Sequence, residues 1–234
     1  MTMSKPSLAL FDLDHTLLPL DSDYHWADFL ARNGHVGDPQ EALRLNDELM
    51  QRYEAGNLSA DESFAFMLGL IADRPLDQLE QWQAEYMETI IEPAITEQAQ
   101  ALVERHRQAG HLCVLVTATN EFVTAPIARR FGFEHLIATV PEQKAGRFTG
   151  RVKGIPSYQE GKITRVDQWL DEQARTRDQF ERIWFYSDSI NDLPLMQVVS
   201  DPIATNPCAQ LRAHALDNEW EILDLFTSEQ QEER

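Results

Sequence analysis

The strongest constraint on this chain lies close to its start. Leu8-Ala9-Leu10-Phe11 is an unbroken apolar run that stops abruptly at Asp12-Leu13-Asp14, with the hydroxyl of Thr16 two residues further on. An apolar run without polar alternation marks a strand covered on both faces, as in a parallel sheet flanked by helices. Ligands of such sheets bind beyond the carboxyl ends of the strands, where Asp12 and Asp14 would emerge. Two carboxylates crowded there repel each other, which invites a divalent cation. Taken alone, the pair reads equally well as a strand followed by a solvated acidic turn.

Similar runs recur along the chain. Residues 112–116 end in Thr117-Ala118-Thr119-Asn120, and residues 183–186 end in Ser187-Asp188-Ser189-Ile190-Asn191-Asp192. Residues 136–140 give another strand, and 202–205 a short last one. Residues 147–153, among Gly146, Gly150 and Gly154, read as a small hairpin. Helical patterns separate these runs: 96–109 stopped by Gly110, 121–131, a helix opened by Gly161-Lys162 and reaching about 174, and 193–199. Strands alternating with helices predict an α/β fold with a doubly wound parallel sheet.

Between the first two strands the pattern changes. Helical periodicity fills 24–32, 41–55, 59–72 and 76–91, with a capping box at Ser59 and Glu62 and breaks at Gly56-Asn57, Pro75 and Pro93. This predicts two domains: a core of residues 1–18 and 93–234, and an all-helical insertion of 19–92. An insertion springing from the end of the first strand would lie over the acids as a lid and exclude water.

Composition narrows the partners. A net charge of −19 argues against a nucleic-acid backbone. No run reaches the roughly 18 apolar residues of a membrane span, and polar residues 1–7 lead straight into a strand, so no secretory signal is expected. Cys113 and Cys208 make no disulfide framework, and the expected compartment is the cytoplasm. The acidic tail, 228–234, is expected to fray.

Four polar groups thus fall at strand ends or helix starts: Asp12/Asp14, Thr117, Lys162, and Asp188/Asp192. In that order they make a recipe for phosphoryl transfer. Asp12 can attack phosphorus as a nucleophile, and Asp14 can protonate the leaving oxygen and then deprotonate the hydrolytic water. Asp12 and Asp188 offer carboxylates to Mg2+, with room for a backbone carbonyl and waters. Thr117 and Lys162 would hold the phosphoryl oxygens. Each has a plainer role as well: Thr117 as a turn hydroxyl, Lys162 as a solvated lysine, Asp192 as the cap of the helix from Leu193.

In sequence, Phe11-Asp12-Leu13-Asp14-His15-Thr16-Leu17 resembles motif I of the haloacid dehalogenase-like hydrolases. Val116-Thr117-Ala118-Thr119 resembles motif II, Lys162 motif III, and the segment from Ser187 to Met196 motif IV. The resemblance implies a magnesium-dependent phosphatase working through an aspartyl-phosphate. It makes Asp12, Asp188 and the main-chain carbonyl of Asp14 metal ligands, and has Asp192 orient Lys162 and a metal-bound water. The helical insertion resembles the cap of the phosphoserine-phosphatase-like branch. An acid at position 188 argues against the metal-free dehalogenases.

Asp21 stands where phosphoserine phosphatases of this branch carry the acid that meets the substrate's amino group, although it is equally a helix N-cap. The arginine motif that grips a serine carboxylate has no clear counterpart; Arg44 and Arg52 are candidates only by charge. Leu20-Asp21-Ser22-Asp23-Tyr24-His25-Trp26 is similar to bacterial histidinol-phosphatases of the branch. The expected substrate is therefore a small amine-bearing phosphomonoester, L-histidinol phosphate first, with phosphoserine or another small metabolite as the alternative. A phosphoacceptor domain of the receiver type, or a non-catalytic binding protein on the same fold, is the rival class. Stable phosphorylation would favour the receiver, and magnesium-dependent phosphate release the enzyme.

Overall fold

The computed structural model describes residues 5–227, so the acidic tail lies outside the described residues. Six strands form one parallel sheet in the order β3-β2-β1-β6-β7-β8. They are β1 (Leu8–Phe11), β2 (Leu112–Asn120), β3 (His135–Thr139), β6 (Ile183–Ser187), β7 (Asp201–Thr205) and β8 (Glu221–Leu223). All four residues of β1 are at most 1% exposed, as the unbroken apolar run requires. Each large side chain buried there contributes about 2 kcal/mol by leaving water.

The chain leaves β1 towards β2 and β3 on one side, and later fills the other side with β6, β7 and β8. The strand order therefore reverses at β1/β6, the crevice where such sheets bind ligands. The register there is Leu8 with Ile183 through Phe11 with Tyr186, and Asp12 N–H donates to the Tyr186 carbonyl at 2.9 Å. Asp12 and Asp188 therefore leave the sheet side by side. Helix α8 (Glu160–Glu172) buries Val166 and Leu170 with Leu10, Val114 and Phe185 on one side of the sheet. Ala9, Phe11 and Leu115 join the apolar cluster on the other, with α6 (Glu97–Gln108) and α7 (Glu121–Phe131).

Between β1 and α6 stand α1 (Ser22–Arg32), α2 (Pro39–Glu54), α3 (Ala60–Gly69), α4 (Leu76–Tyr86) and the short α5 (Glu92–Ala94). The capping box of Ser59 and Glu62 is formed at the start of α3. Trp26, Leu68 and Tyr86 from these helices share one apolar cluster with Phe11 and Ile127 of the core. The antiparallel hairpin of β4 (Pro141–Lys144) and β5 (Arg147–Val152) meets the turn after α3, where Asp73 N–H donates to the Phe148 carbonyl at 2.9 Å.

Four expectations need correction. Residues 202–205 are not the last strand, because β8 adds one; its three residues are too few to carry a period. The helix expected at 193–199 is shorter, a 3₁₀ turn at Ile190–Asp192 followed by α9 (Leu193–Met196). The hairpin starts earlier, in a strand of mostly polar residues. The helix expected over 76–91 widens into a π turn at Met87–Ile91 and continues to Ala94. The wide turn immediately precedes Pro93, whose ring would clash with the carbonyl four residues back.

Candidate active site

At the carboxyl ends of β1 and β6, Asp12 and Asp192 flank the amine of Lys162, and Asp188 joins Asp12 through Thr16. All five are buried, Lys162 being 2% exposed. Lys162 Nζ lies 2.8 Å from Asp12 Oδ1 and 2.7 Å from Asp192 Oδ2. Local chain geometry delivers the lysine. It sits in the first turn of α8, after Gln159 at φ 49°, and Gly161 passes so close to Pro156 that a Cβ would lie 2.2 Å from its carbonyl oxygen. Only glycine permits that approach. Lys162 is therefore not a solvated lysine.

Asp192 makes no side-chain cap for α9; its Oδ2 also accepts from Ser187 Oγ at 2.7 Å. The plain cap role is thereby set aside. Thr16 ties the acids together: its Oγ1 is 3.3 Å from Asp12 Oδ2 and 3.2 Å from Asp188 Oδ1, and it accepts the Asp188 N–H at 3.0 Å.

Asp14 belongs to a second group. Its Oδ1 accepts from Ser22 N at 2.7 Å and its Oδ2 from Thr119 Oγ1 at 2.8 Å. Thr119 lies where the pairing of β2 with β3 slips between Val116 and Asn120, an irregularity of the kind found near sites. Thr117 is buried in the same cavity wall, and its Oγ1 accepts the Thr119 N–H at 3.2 Å. Asp21 caps α1, accepting from Tyr24 N at 2.8 Å, and also lines the cavity. Asp23 accepts from Asn120 Nδ2 at 3.1 Å.

Burial dominates the electrostatics. It pushes the Asp12 carboxyl up to about 7 against the pull of Lys162, and Asp14 up to about 7 with the help of nearby Asp21. Burial and the charges of Asp12 and Asp192 hold Asp188 well above the carboxylate range. Burial alone would lower Lys162, yet Asp12 and Asp192 outweigh it and hold the amine above its ordinary value. Asp12 shares the one ammonium with Asp192, and among the described residues Asp188 beside it has no cationic partner, so a hard divalent cation with oxygen ligands fits that donor set. Among the described residues no three His, Cys, Asp or Glu side chains form a metal cage. Two carboxylates supplemented by main chain, water and substrate oxygens are the usual magnesium arrangement.

Arg44 and Arg52 do not belong to the site. Arg44 is paired with Glu41 and Glu48, and Arg52 with Glu62, on exposed helix faces. Sequence reading assigned no role to Thr16, Ser187, Thr119, Asp23 or Asn206. The first four lie inside or beside the motifs, and their hydroxyls and the Asp23 carboxylate were the available signal. Asn206 left none: its Nδ2 donates to the His15 carbonyl at 3.0 Å and its Oδ1 accepts from Leu225 N at 2.6 Å, fixing the loop after β1.

A parallel sheet that brings carboxylates and a buried lysine to its switch point has the makings of a phosphoryl-transfer site on an α/β fold. The chain belongs to the haloacid dehalogenase-like hydrolases, whose family model matches residues 9–197. It is 39% identical over 219 residues to a histidinol-phosphatase of Neisseria meningitidis serogroup C, covering 93% of this chain and 98% of the relative. It is 31% identical to a phosphoserine phosphatase of Mycobacterium tuberculosis, covering 92% of this chain and 70% of that one. A crystal structure of a protein of unknown function from Bordetella pertussis Tohama I superposes with a TM-score of 0.93 at 55% identity, over 95% of this chain and 100% of that chain. These relationships place the chain in the phosphoserine-phosphatase-like branch and set aside the receiver-type reading. No helix among the described residues is long and apolar enough to cross a membrane.

Proposed function

We propose that this hydrolase is a magnesium-dependent phosphatase of L-histidinol phosphate, working in the cytoplasm. The observation that carries the substrate is the lining of the active-site cavity, about 690 Å³ in volume. Asp21, Asp23 and Asp47 join Asp12, Asp14, Asp188 and Asp192 in its wall, and among the described residues Lys162 is the single lysine or arginine there. That amine is engaged by two acids, so a substrate carboxylate finds no cation. An ammonium beside the phosphate meets carboxylates instead. This favours an amino-phosphate without a carboxylate over phosphoserine, and the similarity to the Neisseria histidinol-phosphatase supports the same choice.

In this reading Asp12 attacks phosphorus, and the bond from phosphorus to the ester oxygen breaks. Asp14, kept protonated near neutrality by burial, gives its proton to the departing alkoxide. The alcohol leaves, and the Asp14 carboxylate takes a proton from the water that attacks the aspartyl-phosphate, freeing Asp12 and inorganic phosphate. Lys162 and Thr117 hold phosphoryl oxygens, and Asp192 fixes the lysine. Asp12, Asp188 and the main-chain carbonyl of Asp14 would hold Mg2+, which supplies positive charge against the phosphoryl group. Residues 19–92 act as the cap that shuts water out of the core formed by 1–18 and 93–234.

The test compares kcat/KM for histidinol phosphate and phosphoserine in the presence of Mg2+. The expected preference for histidinol phosphate is about 100-fold, the size of discrimination that a few polar contacts provide. Equal rates, or a preference for phosphoserine, would overturn the substrate.

A further inference from the structure

The cavity has a second kind of wall besides its acids. On α3, Ala60, Ser63, Phe64 and Met67 all line it, at the i, i+3, i+4, i+7 spacing that sets side chains on one helix face. The capping box at Ser59 and Glu62 fixes the start of that helix. Phe64 is therefore carried on the face that α3 turns towards the cavity.

Tyr158 lines the same cavity from the loop that leads into α8. It is held at both ends. Its carbonyl accepts the Gly161 N–H at 2.8 Å, and its Oη accepts from Gln159 Nε2 at 3.2 Å. The same Nε2 donates to Asn191 Oδ1 at 3.2 Å, one residue before the Asp192 that holds Lys162. An amide nitrogen carries two hydrogens, so both bonds form at once. The rings of Phe64 and Tyr158 meet edge to face, with centroids 6.4 Å apart and planes at 87°. That separation is near the outer end of the roughly 4.5–7 Å range of aromatic pairs. Both residues keep part of their surface exposed, so the pair is open to a further ring.

We propose that Phe64 and Tyr158 select the shape of the leaving group: together they form an aromatic wall against which a planar ring of the departing alcohol packs, while its ammonium meets the acid at Asp21. The inference rests on the substrate class proposed above and adds two specificity-determining residues to it. In histidinol phosphate that ring is the imidazole. A ring packed on rings gains more than the burial of its area, whereas an alkyl group gains the burial alone. The competing explanation is that the two rings only hold α3 against the loop before α8.

The experiment measures kcat and KM of the full chain with Mg2+ on histidinol phosphate and on 2-aminopropyl phosphate, the same amino-phosphate with a hydrogen in place of the imidazole ring. The ratio of the two kcat/KM values cancels any change in the folded fraction. Phe64→Leu and Tyr158→Leu are each expected to lower that ratio about 5-fold, chiefly through KM for histidinol phosphate. Tyr158→Phe keeps the ring and loses the hydroxyl, and is expected to hold the ratio within about 2-fold of wild type. A contact that only holds the fold would weaken turnover of both esters alike. An unchanged ratio in either leucine variant therefore overturns the wall, as does a loss in Tyr158→Phe equal to that in Tyr158→Leu; histidinol phosphate then stands as the substrate. Equal wild-type rates on the two esters overturn the wall and leave an amino-phosphate as the substrate class. A wild-type enzyme that turns over neither ester overturns the substrate reading, and this inference with it.

Discussion

Thr16 and Asp188, 172 residues apart in the chain, are joined through one hydroxyl: Asp188 N–H donates to Thr16 Oγ1 at 3.0 Å. The same hydroxyl lies between the Asp188 and Asp12 carboxylates, and with one proton it donates to one of them at a time. It holds the ends of β1 and β6 in register as a single acid site. Thr16→Val keeps the shape and orphans a buried N–H. We expect a loss of about 1–3 kcal/mol in urea unfolding and weaker Mg2+ binding in a calorimetric titration; wild-type values in both would remove this role.

The raised acids make the effect of the cation depend on pH. Asp12 and Asp14 titrate near 7 in the fold but near 4 when unfolded, so the unfolded chain loses these protons first. Their contribution to stability therefore falls as pH rises from about 4 to about 7 and is fully lost above that. A bound cation relieves the cost when the acids are ionised. Mg2+ should raise the melting temperature at pH 8 and have little effect at pH 5; an equal rise at both values would contradict the placement of the metal among these acids.

Asp21 permits a clean separation of charge from capping. Asparagine is as good an N-cap as aspartate, so Asp21→Asn keeps the bond to Tyr24 N and removes the anion. The kcat/KM for histidinol phosphate should drop by about 30-fold, as for the loss of one partner in a buried charge pair, and that for p-nitrophenyl phosphate by much less. Equal losses on both would refute recognition of an amine.

Thr119 stabilises the ionised form of Asp14 by donating to it at 2.8 Å. In Thr119→Val that bond is gone, and the Asp14 carboxyl rises further. The first step needs Asp14 protonated, so the alkaline limb of the kcat/KM profile should move to higher pH. A limb that stays in place would show that Asp14 does not supply the proton.

Much of the site was legible because it is written in local patterns. The runs at Leu8 and Ile183 predicted buried strands, and the acids that end them are neighbours because those strands pair. Ser59 and Glu62 announced the start of α3. What could not be read was pairing at a distance: Thr119 with Asp14 across 105 residues, or Asn206 with His15 across 191. Such contacts depend on the sheet order, which leaves no period in the chain. The π turn before Pro93 was invisible for a related reason, since its wider bonding retains helical polarity. The N-cap at Asp21 was legible because an acid just before a helical period is a local signal.

Turnover by this route requires Asp12 to become phosphorylated. Rapid acid quenching of the Mg2+ enzyme during turnover of histidinol phosphate, followed by peptide mass spectrometry, reads this directly. We predict a phosphoryl group on the peptide carrying Asp12, absent from Asp12→Asn, which keeps its fold but loses about 1,000-fold or more in kcat. Turnover retained by Asp12→Asn, or a phosphoryl group found on another residue, would contradict it.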